Sequence, residues 1–239
     1  MRILKKTLSI TALLLLLLVA GVTVFDPLLF KILWYRVPVK ETYTIFPQHF
    51  LTPAKVPFNF IKVKYPRNDL DTLHVRNGAD SLIQLSQYIK QGKINAFIVI
   101  RNDSILYERY NNGLTDTTMV ALFSVAKSML SMAVGHAVDA GKIHIEKRVI
   151  EYVPELKANP AFNNITIGHL LSMRSGLDFK GTEGNFLDAL LSDEARYYYT
   201  DDMKASLLSL KLVNRPGTVW KYKSVDDYSA ICGDVRSHG

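Results

Sequence analysis

The spacing of apolar residues changes several times along the chain, and each change predicts a different element. Leu8 to Phe25 is an uninterrupted apolar run, with six consecutive leucines from Leu13 to Leu18 and no charge before Asp26. About 18 such residues just cross a ~30 Å hydrocarbon core. Leu28, Leu29, Phe30, Ile32 and Leu33 continue the apolar character, and Trp34 and Tyr35 suit a membrane interface. From Arg36 to about Asn77, Pro38, Pro47, Pro53, Pro57 and Pro66 interrupt any helix, which predicts an extended linker. Its aromatics Tyr43, Phe46, Phe50, Phe58 and Phe60 need a surface to pack on. Leu82, Leu85 and Ile89 recur at helical spacing, predicting a helix from Ser81 to Lys90 that Gly92 stops.

A hairpin follows. Ala96 to Ile100 and Ile105 to Tyr110 are its strands, and Arg101-Asn102-Asp103-Ser104 its turn, where Asn and Asp tolerate positive φ. The first strand is nearly all apolar, so it should lie within a sheet covered on both faces. Two strands alone are marginal. Ser124 to about Ala140 predicts a helix that is apolar almost all round and therefore central to the fold. Thr166 should cap a short helix through Leu170 and Leu171 that ends at Ser175-Gly176. A further helix runs from Asp201 to Leu210, before a turn at Pro216-Gly217, and a last one begins near Asp226.

Composition narrows the classes. The chain has 239 residues, 48% of them hydrophobic and 21% charged, which is enough apolar content for a core and excludes wholesale disorder. One cysteine, Cys232, cannot form an internal disulfide and reads as a small buried apolar residue. No Cys/His cluster has zinc spacing, and no metal or cofactor is implied. The formal net charge is +7, but Lys and Arg are scattered, so nucleic-acid binding is not expected. Arg2, Lys5 and Lys6 precede the apolar run and set the amino terminus on the cytoplasmic side. Val19-Ala20-Gly21 is a poor cleavage site, which favours a retained signal anchor over a cleaved signal. The expected organisation is a basic flank at 1–6, a transmembrane anchor at 7–25, a Pro- and aromatic-rich linker at 26–80, and an extracytoplasmic domain, periplasmic or extracellular, at 81–239.

The candidate chemistry starts at Ser124-Val125-Ala126-Lys127. A serine hydroxyl is a poor nucleophile without a nearby base. Positions three apart on a helix share a face, so Lys127 projects beside Ser124. The helix start supplies N–H groups and partial positive charge for a developing anion. Burial would favour a neutral amine on Lys127, as a base requires. The competing reading is an N-cap serine and a solvated lysine.

The stretch Leu122-Phe123-Ser124-Val125-Ala126-Lys127-Ser128 resembles the nucleophile segment of the serine β-lactamase and penicillin-binding-protein superfamily. Further blocks agree in order: Phe97 to Ile100 with Glu108-Arg109-Tyr110, then Gly141-Lys142-Ile143, then Val149 to Leu156, then Ile165 to Leu177. The similarity spans about Ser81 to Cys232. It points to the class C β-lactamase-like branch, which includes esterases, D-amino-acid peptidases and 6-aminohexanoate oligomer hydrolases. The fold it implies is α+β, β-lactamase/transpeptidase-like, with an antiparallel sheet flanked by helices and a helical subdomain. That branch places a Tyr-x-Asn or Tyr-x-Ser element about a hundred residues past the serine, where Tyr222-Lys223-Ser224 stands. By that resemblance Tyr222 is the proton shuttle, working beside a cationic Lys127, and Ser224 donates to the substrate or to Lys127. Tyr197-Tyr198-Tyr199 falls in the region that faces substrate in this family, with Tyr199 the candidate taken for the pocket. Tyr110-Asn111-Asn112 precedes the serine and is discounted. His136 and His169 read as packing residues, and Arg174 and Asp178 as local ion-pairing or capping groups.

The family's third element, a Lys or His followed two residues on by Gly, should lie on a strand far beyond the tyrosine. Ser237-His238-Gly239 is too close to Tyr222 to be it. The resemblance therefore implies the amino-terminal part of a larger protein. One oxyanion donor, the Ser124 N–H, is in this part, and the second is expected from a later strand. Little hydrolase activity is expected of these 239 residues alone. The activity implied is a serine hydrolase forming an acyl-enzyme on a small ester, amide or peptide. The alternatives are a cell-wall D-Ala peptidase and a non-catalytic envelope protein that keeps the fold to bind peptidoglycan or a partner.

Overall fold

In a computed structural model, residues 13, 20–48, 50–78 and 81–231 are described. Most of the apolar run, Cys232 and the terminal Ser237-His238-Gly239 lie outside them. Among the described residues no helix is long and apolar enough to cross a membrane.

The central hairpin forms as its alternation and turn dictate. β4 (Ala96–Arg101) pairs antiparallel with β5 (Ser104–Tyr110), from Ala96 opposite Tyr110 to Arg101 opposite Ser104. Asn102 and Asp103 both take positive φ, 50° and 57°, the left-handed pair a two-residue turn needs. β1 (Ile61–Lys62) adds a parallel strand on the far side of β5. β2 (His74–Asn77) and β3 (Ser81–Gln84) form a second hairpin. The segment read as an extended linker thus carries short strands, because its polar backbone finds sheet partners.

The helix expected from Ser81 begins only at Leu85, as α2 (Leu85–Gln91). Strand pairing with β2 takes Ser81 to Gln84 instead. Residues 41–121 form one compact unit. Its small core is Leu85, Ile89 and Tyr107, with Phe97 and Val99 of β4 packed against it. The expectation that β4 is covered on both faces is corrected. Alternation sends Phe97 and Val99 to that core, while Ile98 and Ile100 on the other face stay 44% and 45% exposed.

The second compact unit joins residues up to 40 with those from 122 onward. α1 (Pro27–Tyr35) starts at Asp26, whose carboxylate accepts from Leu29 N–H at 2.9 Å, with Pro27 in the first turn. α3 (Ala126–Asp139) buries Leu130, Val134 and Ala137. These meet α4 (Val149–Tyr152), α5 (Ile167–Leu171) and residues such as Ile143, Phe162, Ile165 and Leu177 in one core. The all-round apolar reading of α3 is also corrected: Met129 and Met132 on its other face are exposed. Thr166 caps α5 as expected. Its hydroxyl accepts from His169 N–H at 3.1 Å, and His169 Nδ1 accepts from Thr166 N–H at 3.2 Å. α6 (Phe186–Leu190), α7 (Asp193–Tyr199) and α8 (Met203–Leu208) follow, and α9 (Ser224–Ile231) is the last.

Candidate active site

Ser124 sits in a 3-10 turn, Phe123–Val125, and the α-helix proper starts two residues later at Ala126. Ser124 is therefore not an N-cap by side chain. Phe123 takes φ 47°, the left-handed region that a bulky residue avoids, so strain falls on the residue before the serine. Lys127 follows one turn on and its Nζ lies 3.4 Å from Ser124 Oγ.

Tyr222 arrives from a distant segment, which explains why the pairing needs a tertiary structure. Gly217 N–H donates to Arg174 O at 2.8 Å, and Lys221 N–H donates to Met173 O at 3.0 Å. Lys221 Nζ reaches Phe179 O at 2.7 Å, and Lys223 Nζ reaches Ser175 Oγ at 2.9 Å. Two glycines permit this close seam. A Cβ on Gly176 would come 2.1 Å from Asn214 O, and one on Gly217 would come 2.9 Å from His169 Nε2; both residues also have positive φ. Held between two anchored lysines, Tyr222 is 44% exposed and its hydroxyl donates to Ser124 Oγ at 2.7 Å. Lys127 Nζ stands 5.2 Å from the Tyr222 ring centre.

One carboxylate that sequence reasoning missed completes the cluster. Asp227, in the first turn of α9, pairs with Lys127 at 2.7 Å. Burial pulls the Lys127 amine down, but the hydrogen bond and charge of Asp227, with Tyr222, outweigh it and the net direction is up. Burial raises the Asp227 carboxyl in turn, against the lowering effect of Lys127. The short ion pair and the direction at Lys127 make it an ammonium. The expected neutral amine is thereby corrected, and the cationic lysine expected beside Tyr222 is the form that fits. The signal for Asp227 was its place five residues after Tyr222, which only the turn into α9 converts into contact with Lys127.

The remaining candidates are distributed differently. Ser224 opens α9 half-buried, two residues after Tyr222. Tyr199 is buried, and its hydroxyl donates to Arg36 O at 2.9 Å, while Tyr198 stacks against Phe123 with ring centres 6.5 Å apart. His169 serves the α5 cap, and His136 lies exposed on α3 rather than packed. Arg174 and Asp178 contribute backbone: Arg174 O accepts from Gly217, and Asp178 N–H donates to Lys211 O. Asn111 and Asn112 close the hairpin onto Ile94 O and Asn95 Oδ1, a structural use of the discounted motif.

A family model described as beta-lactamase matches residues 86–230, more than half of the chain. The chain belongs to the beta-lactamase family, and its α+β fold is of that type. It is 33% identical over 101 residues to a 6-aminohexanoate-dimer hydrolase of Paenarthrobacter ureafaciens, covering 42% of this chain and 26% of that protein. It is 32% identical over 142 residues to esterase EstB of Burkholderia gladioli, covering 52% of this chain and 36% of that one. A solved putative 6-aminohexanoate-dimer hydrolase from Bacillus anthracis superposes with a TM-score of 0.56 at 24% identity, covering 72% of this chain and 47% of the other. The chain thus spans between a quarter and two fifths of the length of these two curated relatives.

Proposed function

We propose that the protein is a serine hydrolase that cleaves an ester or amide through an acyl-enzyme on Ser124. The observation that carries this is the 2.7 Å contact between the Tyr222 hydroxyl and Ser124 Oγ, with an ion-paired Lys127 beside both. Once the Tyr222 phenol has given its proton to solvent, Ser124 Oγ bonds to the substrate carbonyl carbon and its proton passes to the Tyr222 phenolate oxygen. As the bond to the leaving group breaks, Tyr222 hands that same proton to the departing alcohol or amine and returns to phenolate. Lys127, held as a cation by Asp227, has no lone pair to accept a proton. Its charge stabilises the Tyr222 phenolate that takes the Ser124 proton and is restored when that proton leaves. The Ser124 N–H serves as one oxyanion donor. Water then attacks the acyl carbon by the reverse proton path. The relatives named for an amide dimer and for ester cleavage favour linear esters and amides over β-lactams.

Labelling by a fluorophosphonate tests the reading: Ser124→Ala should abolish it in the full-length protein. Labelling unchanged in that variant would put the nucleophile elsewhere. The reading also places the domain outside the cytoplasm, on the strength of Arg2, Lys5 and Lys6 before the apolar run. The unprocessed chain should stay in the membrane pellet through a carbonate wash, and its release would end that part of the proposal.

A further inference from the structure

A cavity of about 360 Å³ adjoins the nucleophile segment. Phe123, one peptide bond from Ser124, forms part of its wall, and Tyr198, stacked on Phe123, forms another. Phe186 and Leu190 come from α6, and Ile32 and Pro38 come from α1 and the residues after it. All belong to the compact unit that carries Ser124. The wall is mainly aliphatic and aromatic. Arg36 and Glu194 are its charged members. Tyr199 also borders the space, and its hydroxyl is engaged with Arg36 O at 2.9 Å. Burial raises the Tyr198 phenol, as an apolar setting should.

The cavity is held open by contacts outside it. α1 is fixed to α7 and its surroundings by Asp26 with Arg196 at 3.1 Å and Lys31 with Asp201 at 2.8 Å. Ile32 is buried by that docking. The first part of the segment expected to be a linker therefore builds a wall beside the nucleophile segment, in addition to any part the preceding apolar run plays. A wall this poor in hydrogen-bonding groups selects against polar substituents, whose desolvation it cannot offset. It rewards an apolar chain by roughly fourfold per buried methylene.

From this placement we infer that the cavity is the acyl subsite for a medium-length, unbranched apolar chain on the substrate's carbonyl side. This rests on the serine-hydrolase reading and adds the substrate class. At about 30 Å³ per methylene, close to the volume of a water molecule in the liquid, a space of about 360 Å³ has room for about twelve carbons. The optimum should fall at roughly six to ten, since packing is never complete.

The test is acylation of the full-length protein by p-nitrophenyl esters from acetyl to hexadecanoyl, followed by p-nitrophenolate release in the burst phase. Ser124 Oγ gains the acyl group and p-nitrophenolate leaves with the electron pair. The rate constant kcat/KM should climb by about tenfold or more with each added carbon pair that is buried, peak at the predicted length and fall for hexadecanoyl. Ala189→Trp, which fills the cavity from α6, should lower the octanoyl-to-acetyl ratio at least tenfold. Ala189→Leu should shift the optimum shorter by a smaller step and covers the case in which the tryptophan variant does not fold. A profile flat with chain length, or a ratio that neither variant changes, overturns the subsite while leaving the hydrolase reading intact. Failure of every ester to acylate, together with failure of fluorophosphonate labelling, overturns both.

Discussion

Two lysine–aspartate pairs diverge from one turn of α9, and their surroundings set them to different work. Asp227 reaches outward to Lys127 at 2.7 Å, where the side chains keep 14% and 22% exposure. Asp226, its neighbour, turns inward to Lys223 at 3.7 Å, with the side chains 0% and 2% exposed. Ser175 knits the inner pair together, donating to Asp226 Oδ1 at 2.7 Å and accepting from Lys223. The outer pair keeps a cation beside Ser124 and Tyr222. The inner pair ties the Tyr222 segment to the loop after α5, so that the outer pair meets its partners. A partly exposed ion pair can hold charge at little cost, whereas a fully buried one is worth keeping only if its geometry is satisfied.

The largest expected effect breaks the inner pair. Asp226→Ala should destabilise the fold by about 3–5 kcal/mol, because it strands a buried amine and the Ser175 hydroxyl. Chemical denaturation measures this, and an unchanged midpoint would show that the inner pair is not a framework element.

A pH profile sharpens the same point. Burial pushes the Asp226 carboxyl up from 3.8 to about 6, and Ser175 and Lys223 only partly counter it. A raised carboxyl contributes stability that is fully present below its ordinary value and is lost as pH rises through the folded one. Stability should therefore fall by about 2 kcal/mol between pH 4 and 6 from this group, out of about 3 kcal/mol in all at about 1.4 kcal/mol per pH unit of separation. Asp226→Asn should flatten that interval, and an identical slope in the variant would remove Asp226 as its source.

The outer pair should show the opposite pattern. Lys127→Ala should slow fluorophosphonate labelling by about 10², close to 2.7 kcal/mol in barrier, with a smaller loss of stability than Asp226→Ala. Equal losses of stability in the two variants would erase the distinction between the pairs.

Much of the local structure follows from nearby residues. The Asn102-Asp103 turn, the Thr166 cap, the start of α8 at Asp202 and the helical face of Ser124 and Lys127 depend on contacts within a few positions. Tyr222 was legible as a partner only through resemblance to a family, since nothing local says where its hydroxyl points.

The sequence by itself determined the central hairpin, the cap at Thr166, the family and the Ser124–Lys127 spacing. Only the tertiary structure decided which elements bury which faces. It left Ile98, Ile100 and Met132 exposed where composition asked for cover, and it gave Ser81 to Gln84 to a strand. It also decided the protonation of Lys127. Burial alone argued for a neutral amine, but the turn of α9 brings Asp227 within 2.7 Å, and a near opposite charge outweighs partial desolvation. Periodicity is a property of neighbours along the chain, whereas charge states and cavities depend on which distant side chains the fold brings together.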